Sequence, residues 1–214
     1  MKIACISLGC PKNQVDLDGM VHILLSAGHE TVAELGEADV ILVNTCGFIE
    51  SAKTEAIEKI LETAAYREEN PELKIIVSGC LAQRYADDIR AELPEVDGIM
   101  GTGSYGEIVP ALEEVVSGGT PRRFGDIHGM IDELDRVLTT PKYSAYILIG
   151  EGCDNWCSYC AIPMIRGGYR SRPKADILAE VKTLAAQGVK EFTLIAQDTT
   201  RYGTDNGEES RLPQ

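Results

Sequence analysis

Apolar residues in this chain crowd into short continuous runs, and between the runs they recur at every third or fourth position. Residues 2–8, "KIACISL", read as a buried strand, and residues 13–28 read as a helix with Val15, Leu17, Met20, Val21, Leu24 and Leu25 at helical spacing, closed by Gly28. "ADVILVNTC" is a second strand. Over residues 48–69, Ile49, Ala52, Ala56, Ile60 and Ala64 mark one helical face, until Asn70-Pro71 breaks it and "LKIIVSGC" supplies another strand. A helix near 82–92, a short strand "DGIM" and a helix near 105–117 continue the alternation. Strands alternating with helices imply a parallel sheet covered on both faces.

From 118 to 141 the period is lost between "GGTPRR" and "TTPK", which reads as a linker. A strand "AYILIGEG", a cysteine-rich loop, a helix over about 174–187 and a strand "EFTLIAQ" follow, and then a polar, turn-rich tail. The expected organisation is a domain over 1–117, a linker over 118–141, and the beginning of a second domain over 142–214 whose core is not completed.

Composition narrows the setting. The chain has 214 residues and no apolar stretch approaching the roughly 18 residues that span a bilayer. "MKIACISLG" lacks a cleavage site, so a cytoplasmic protein without membrane association is expected. Seven cysteines in a reducing compartment point to metal or redox chemistry rather than a disulfide framework. The net charge of −14 repels phosphate backbones and suits a basic protein partner, which disfavours nucleic-acid binding by this segment. The same acidity also serves solubility.

Cys153, Cys157 and Cys160 stand in "GEGCDNWCSYCAIP", directly after a strand, with no fourth ligand nearby. Structural zinc takes four ligands. A cubane cluster held by three thiolates keeps one iron free for a small chelating molecule. In the first half, Cys10, Cys46 and Cys80 each stand just past a strand. Parallel strands deliver their carboxyl ends to one edge, so the three thiols can converge although 35 and 33 residues intervene. Convergence suggests a second cluster with an open iron. Cys5, inside its strand, reads as an inert core residue.

The spacing Cys153-x3-Cys157-x2-Cys160 after a strand resembles the radical S-adenosylmethionine (SAM) signature. Adding three dispersed N-terminal cysteines, the chain resembles the methylthiotransferases over essentially its whole length. "SLGCPKNQVDLD", "NTCGFIESAK", "EGCDNWCSYCAIPMIRGGYRSRP" and "AQDTTRYG" are similar to the group that modifies an aspartate of small-subunit ribosomal protein number twelve, rather than the group that modifies a tRNA adenosine. Pro11-Lys12 and Asp154-Asn155-Trp156 carry much of that likeness.

The resemblance implies a flavodoxin-like, doubly wound α/β domain followed by the start of a radical SAM (βα) partial barrel. It implies two [4Fe-4S] clusters, one on Cys10, Cys46 and Cys80 and the other, which chelates SAM, on Cys153, Cys157 and Cys160. Tyr159 would pack near the adenine, and Gln197 is a candidate SAM contact. The reaction implied is methylthiolation of the aspartate β-carbon, with a sulfur donor and an electron donor as further partners. A barrel begun but not closed implies little turnover from these 214 residues alone. The competing readings are a tRNA methylthiotransferase and a non-catalytic iron–sulfur or zinc module.

"GTGSYG" at 101–106, with Asp126 beyond it, matches a dinucleotide fingerprint but reads better as a tight turn into the last helix of the first domain. Gln197 and Asp198 end the second barrel strand; Arg166, Arg170 and Arg172 could meet carboxylates or face solvent. His22, His29 and His128 have no ligand spacing.

Overall fold

The computed structural model describes residues 1–129, 135–206 and 212. The middle of the expected linker, 130–134, and residues 207–211, 213 and 214 of the polar tail lie outside the described residues.

Six parallel strands form the first sheet, in the order β2-β1-β3-β4-β5-β6. They are β1 (Lys2–Ser7), β2 (Glu30–Val32), β3 (Val40–Thr45), β4 (Lys74–Gly79), β5 (Gly98–Met100) and β6 (Arg122–Arg123). This is the doubly wound order whose direction reverses between β1 and β3, the position where such sheets open a crevice at their carboxyl edge. The central β3 is buried at all six positions and lies between β1 and β4, with Ile3 opposite Val40 and Val40 opposite Lys74.

Alternation along β3 divides the core. Val40 and Leu42 face α1 (Pro11–Ser26) and α5 (Ile108–Val116), in one cluster with Leu17, Met20, Leu24 and Leu112. Ile41 and Val43 face the other side with Ala56 and Ile60 of α2 (Glu50–Ala64) and Ile89 of α4 (Ala86–Glu92). Covering both faces is what a parallel sheet requires.

Several boundaries differ from the sequence pattern. The second helix begins at Glu50, so Ile49 precedes it and is 55% exposed instead of sharing the buried face. The helix expected near 82–92 is two, α3 (Cys80–Arg84) and α4, broken at Tyr85, where φ −125° and ψ 34° leave the helical region. Segment 118–141 is not all connection: Arg122 and Arg123 pair with β5, and Val137 N–H donates to the Asp18 carbonyl of α1 at 3.2 Å. Within "GTGSYG", the backbone of Gly103 packs so closely on Gly125 that a Cβ there would come 2.7 Å from its carbonyl oxygen.

The second unit begins with β7 (Ser144–Leu148), parallel to β10 (Glu191–Ile195), with α7 (Lys174–Ala186) packed on them through Ile147, Ile177 and Leu184. Two short antiparallel strands, β8 (Gly150–Glu151) and β9 (Arg170–Ser171), pinch the base of the cysteine loop. The loop leads into α6 (Ile162–Arg166). Among the described residues no helix is long and apolar enough to cross a membrane.

Candidate functional site

The carboxyl edges of the two sheets face each other across a cavity of about 470 Å³, and five cysteines line it: Cys10, Cys46 and Cys80 from one side, Cys153 and Cys160 from the other. Cys157, in the same loop, is exposed. The rest of the wall is largely apolar, from Pro11, Phe48, Ile162, Ile195 and Ala196, with Lys12, Arg166 and Gln197 as polar members. A second cavity, of about 230 Å³, lies beside Arg136, Arg172 and Glu180 and contains no cysteine.

Glycines let the first three thiols approach. Gly79 has φ +92°, and a Cβ would fall 2.4 Å from Asn44 Oδ1, so the turn that places Cys80 at the start of α3 admits only glycine. Gly9 has φ +113°, and a Cβ there would lie 2.7 Å from the Cβ of Cys46. Asn13, fully buried, fastens the ends of β1 and β3 by donating to the carbonyls of Leu8 at 3.2 Å and Thr45 at 2.9 Å. Its Oδ1 accepts from the thiols of Cys10 at 3.6 Å and Cys80 at 3.9 Å.

The loop of the other three is closed at its neck. Cys153 N–H donates to the Gly167 carbonyl at 3.0 Å, and Cys160 N–H donates to the Cys157 carbonyl at 2.9 Å in a tight turn. Asp154 accepts from the backbone N–H of Tyr169 at 2.9 Å. Trp156 adopts φ +47°, in the left-handed region, and is 67% exposed. Tyr159 is 86% exposed.

Beneath the cavity lies a buried ionic joint. Lys12 donates to Glu151 and to Gln197. Arg166 meets Glu151 Oε2 at 3.2 Å, Asp16 Oδ2 at 2.8 Å, Asn13 Oδ1 at 3.1 Å and Cys80 Sγ at 3.4 Å. Burial disfavours the charge on every member, and the outcome follows the count of partners. Glu151 faces two cations, which overcome burial and hold its carboxyl at about 2. Asp16 has one guanidinium and the Tyr105 hydroxyl at 3.0 Å, so burial prevails and its pKa is raised. Burial likewise lowers Lys12, against Glu151, and raises the Cys80 thiol, against Arg166.

The sequence motifs give roles to the cysteines and Gln197 but none to Asn13, Asp16 or Glu151, which stand inside the same motifs as polar residues whose partners the sequence does not show. Of the three arginines after the loop, Arg166 reaches the cavity. Arg170 is spent on the carbonyls of Gly129, Arg166 and Gly168, and Arg172 on Glu180 at 2.6 Å and the Leu148 carbonyl at 2.8 Å. Asp198 accepts from Thr200 N–H at 3.0 Å and caps a 3-10 turn. His128 accepts from Gly168 N–H at 3.2 Å.

The donor set fits an iron–sulfur cluster: Cys10, Cys46, Cys80, Cys153 and Cys160 stand around an apolar-walled space, and a cubane takes thiolates at separate corners.

Residues 2–101 match the uncharacterized protein family UPF0004, and residues 147–212 match the radical SAM superfamily. The chain is 49% identical over 215 residues to the ribosomal protein uS12 methylthiotransferase RimO of Clostridioides difficile, covering 100% of this chain and 48% of that protein. It is 49% identical over 214 residues to the protein of the same name from Desulfitobacterium hafniense, covering 99% and 48%. With that of Pelotomaculum thermopropionicum it shares 50% over 206 residues, covering 96% and 46%. The chain spans about half the length of the curated relatives it matches.

Proposed function

The chain belongs to the radical SAM methylthiotransferase family, and from that premise we propose that it carries the cofactor-holding half of an enzyme that methylthiolates the β-carbon of an aspartate in ribosomal protein uS12, in the cytoplasm. The observation that carries this reading is the meeting of two cysteine sets, from separate parts of the chain, on one cavity.

Thiolates of Cys10, Cys46 and Cys80 would hold an auxiliary [4Fe-4S] cluster, and those of Cys153, Cys157 and Cys160 a second, with an iron left free for SAM. When bound, these groups supply the electron, the hydrogen-abstracting radical, the sulfur and the methyl group. The chain's own residues position and shield. Pro11, Phe48, Ile162, Ile195 and Ala196 give the space between the triads an apolar wall, which would help to keep water from bound cofactors. Gln197 lines the cavity at the end of β10 and is held by Lys12, which suits a contact to SAM. Tyr159, exposed beside Cys160, is free to cover an adenine. The acidic chain, at −14, complements a basic ribosomal protein.

Anaerobic reconstitution tests the reading. About eight irons and eight sulfides per chain are expected, falling to about four in Cys153→Ala and to about four in Cys80→Ala. Zinc in place of iron, or iron lost from both sites by either single change, would overturn it. With the full-length enzyme, methylthiolation of a uS12 peptide but not of a tRNA anticodon stem-loop is expected.

A further inference from the structure

Arg166 is the sixth residue after Cys160, yet its side chain, 3% exposed, ends against a thiol of the other triad. Its Nη2 lies 3.4 Å from Cys80 Sγ, and the guanidinium is held by Asn13, Asp16 and Glu151. A guanidinium stays protonated in any protein setting, and a charge out of water acts on its neighbours with little screening. Lys12, the other buried cation of the joint, spends its ammonium on Glu151 and Gln197.

We propose that Arg166 is a positioning residue that orients the Cys80 sulfur and raises the reduction potential of the cluster held by Cys10, Cys46 and Cys80. Hydrogen bonds to cluster sulfurs and nearby positive charge both favour the reduced state, which carries one more electron. A residue adjoining one triad thereby sets the electron affinity at the other. The inference rests on the proposal that the N-terminal triad holds a cluster.

The test uses the whole chain, reconstituted anaerobically, with Cys153→Ala removing the second cluster so that dithionite titration followed by electron paramagnetic resonance reads the first alone. Arg166→Met would strand Asp16 as a buried unpaired carboxylate, so it is made with Asp16→Asn and compared with Asp16→Asn alone. Iron content should be equal, and the reduction equilibrium should shift at least tenfold towards the oxidised form, about 59 mV for one electron. Arg166→Lys should recover part of that shift. An unchanged potential at full iron would overturn the proposal. So would loss of N-terminal iron with a collapsed melting transition in both the Met and the Lys variants, which would make Arg166 a scaffold residue only. If Cys153→Ala with Arg166 intact binds no iron, the cluster assignment itself fails before Arg166 is changed.

Discussion

Lys12 and Glu151, 139 positions apart in the chain, form a buried ion pair whose side chains are 6% and 8% exposed. It joins the first turn of α1 to the strand leading into the second cysteine loop. Removing one member of such a pair leaves the other charged and dry, which costs about 3–5 kcal/mol. Arg166 remains beside Glu151 and softens the loss. Lys12→Met should therefore destabilise the chain by about 3 kcal/mol in urea denaturation, and adding Glu151→Gln should restore much of it. Strict additivity of the two changes would show that the pair contributes no coupling.

Gly79→Ala should cost about 3 kcal/mol, because the residue must keep φ +92° while its methyl group meets Asn44 Oδ1 and the Thr45 carbonyl. The damage falls on the turn into Cys80, so iron at the N-terminal triad should drop while iron at Cys153, Cys157 and Cys160 is kept. Equal losses at both sites, measured as iron per chain in the Cys153→Ala and Cys80→Ala backgrounds, would contradict this placement.

Trp156 is the chain's single tryptophan and adjoins Cys157. It is 67% exposed, so its emission should report on the loop with little contribution from the core. Reconstitution should quench that emission, and Cys157→Ala should abolish most of the quenching. Full quenching in the variant would place the chromophore elsewhere.

Cys5, packed from β1 towards the α1 and α5 face, has its thiol pushed up by burial from the ordinary 9.0 to about 12. A pKa raised on folding contributes stability that is intact below pH 9 and is lost as pH rises towards 12. Native chain at pH 8 should leave Cys5 unalkylated by iodoacetamide. Cys5→Val should flatten the decline in stability across that alkaline interval. Rapid native alkylation, mapped by mass spectrometry, would contradict the burial.

The legible parts of this fold are those whose stability is local or apolar. β1, β3 and β4 announce themselves as apolar runs, and the position of Cys10, Cys46 and Cys80 just past them points to a common edge. The edge strands β2 and β6, "ETV" and "RR", carry no periodic signal because they exist by pairing with β1 and β5. The ionic joint is hidden for a related reason. Nothing local in the sequence marks Lys12, Asp16 or Glu151 for burial, and Arg166 reads as able either to meet a carboxylate or to face solvent; the pairs Lys12–Glu151 and Asp16–Arg166, each joining the two halves of the chain, let them be buried. Leu25 errs in the other direction: it keeps helical spacing in α1 and is 37% exposed, because its neighbour Leu24, at 0%, takes the position facing the core.

The joint also constrains how such a protein can change over generations. Lys12 and Asp16 are encoded in the first half, Glu151 and Arg166 in the second, and each is tolerable in the interior because of its opposite number. A recombinant that takes its halves from two parents inherits a sound seam only where both parents carry matching charges. Single substitutions there are penalised on arrival, so the two halves are bound to diverge in step.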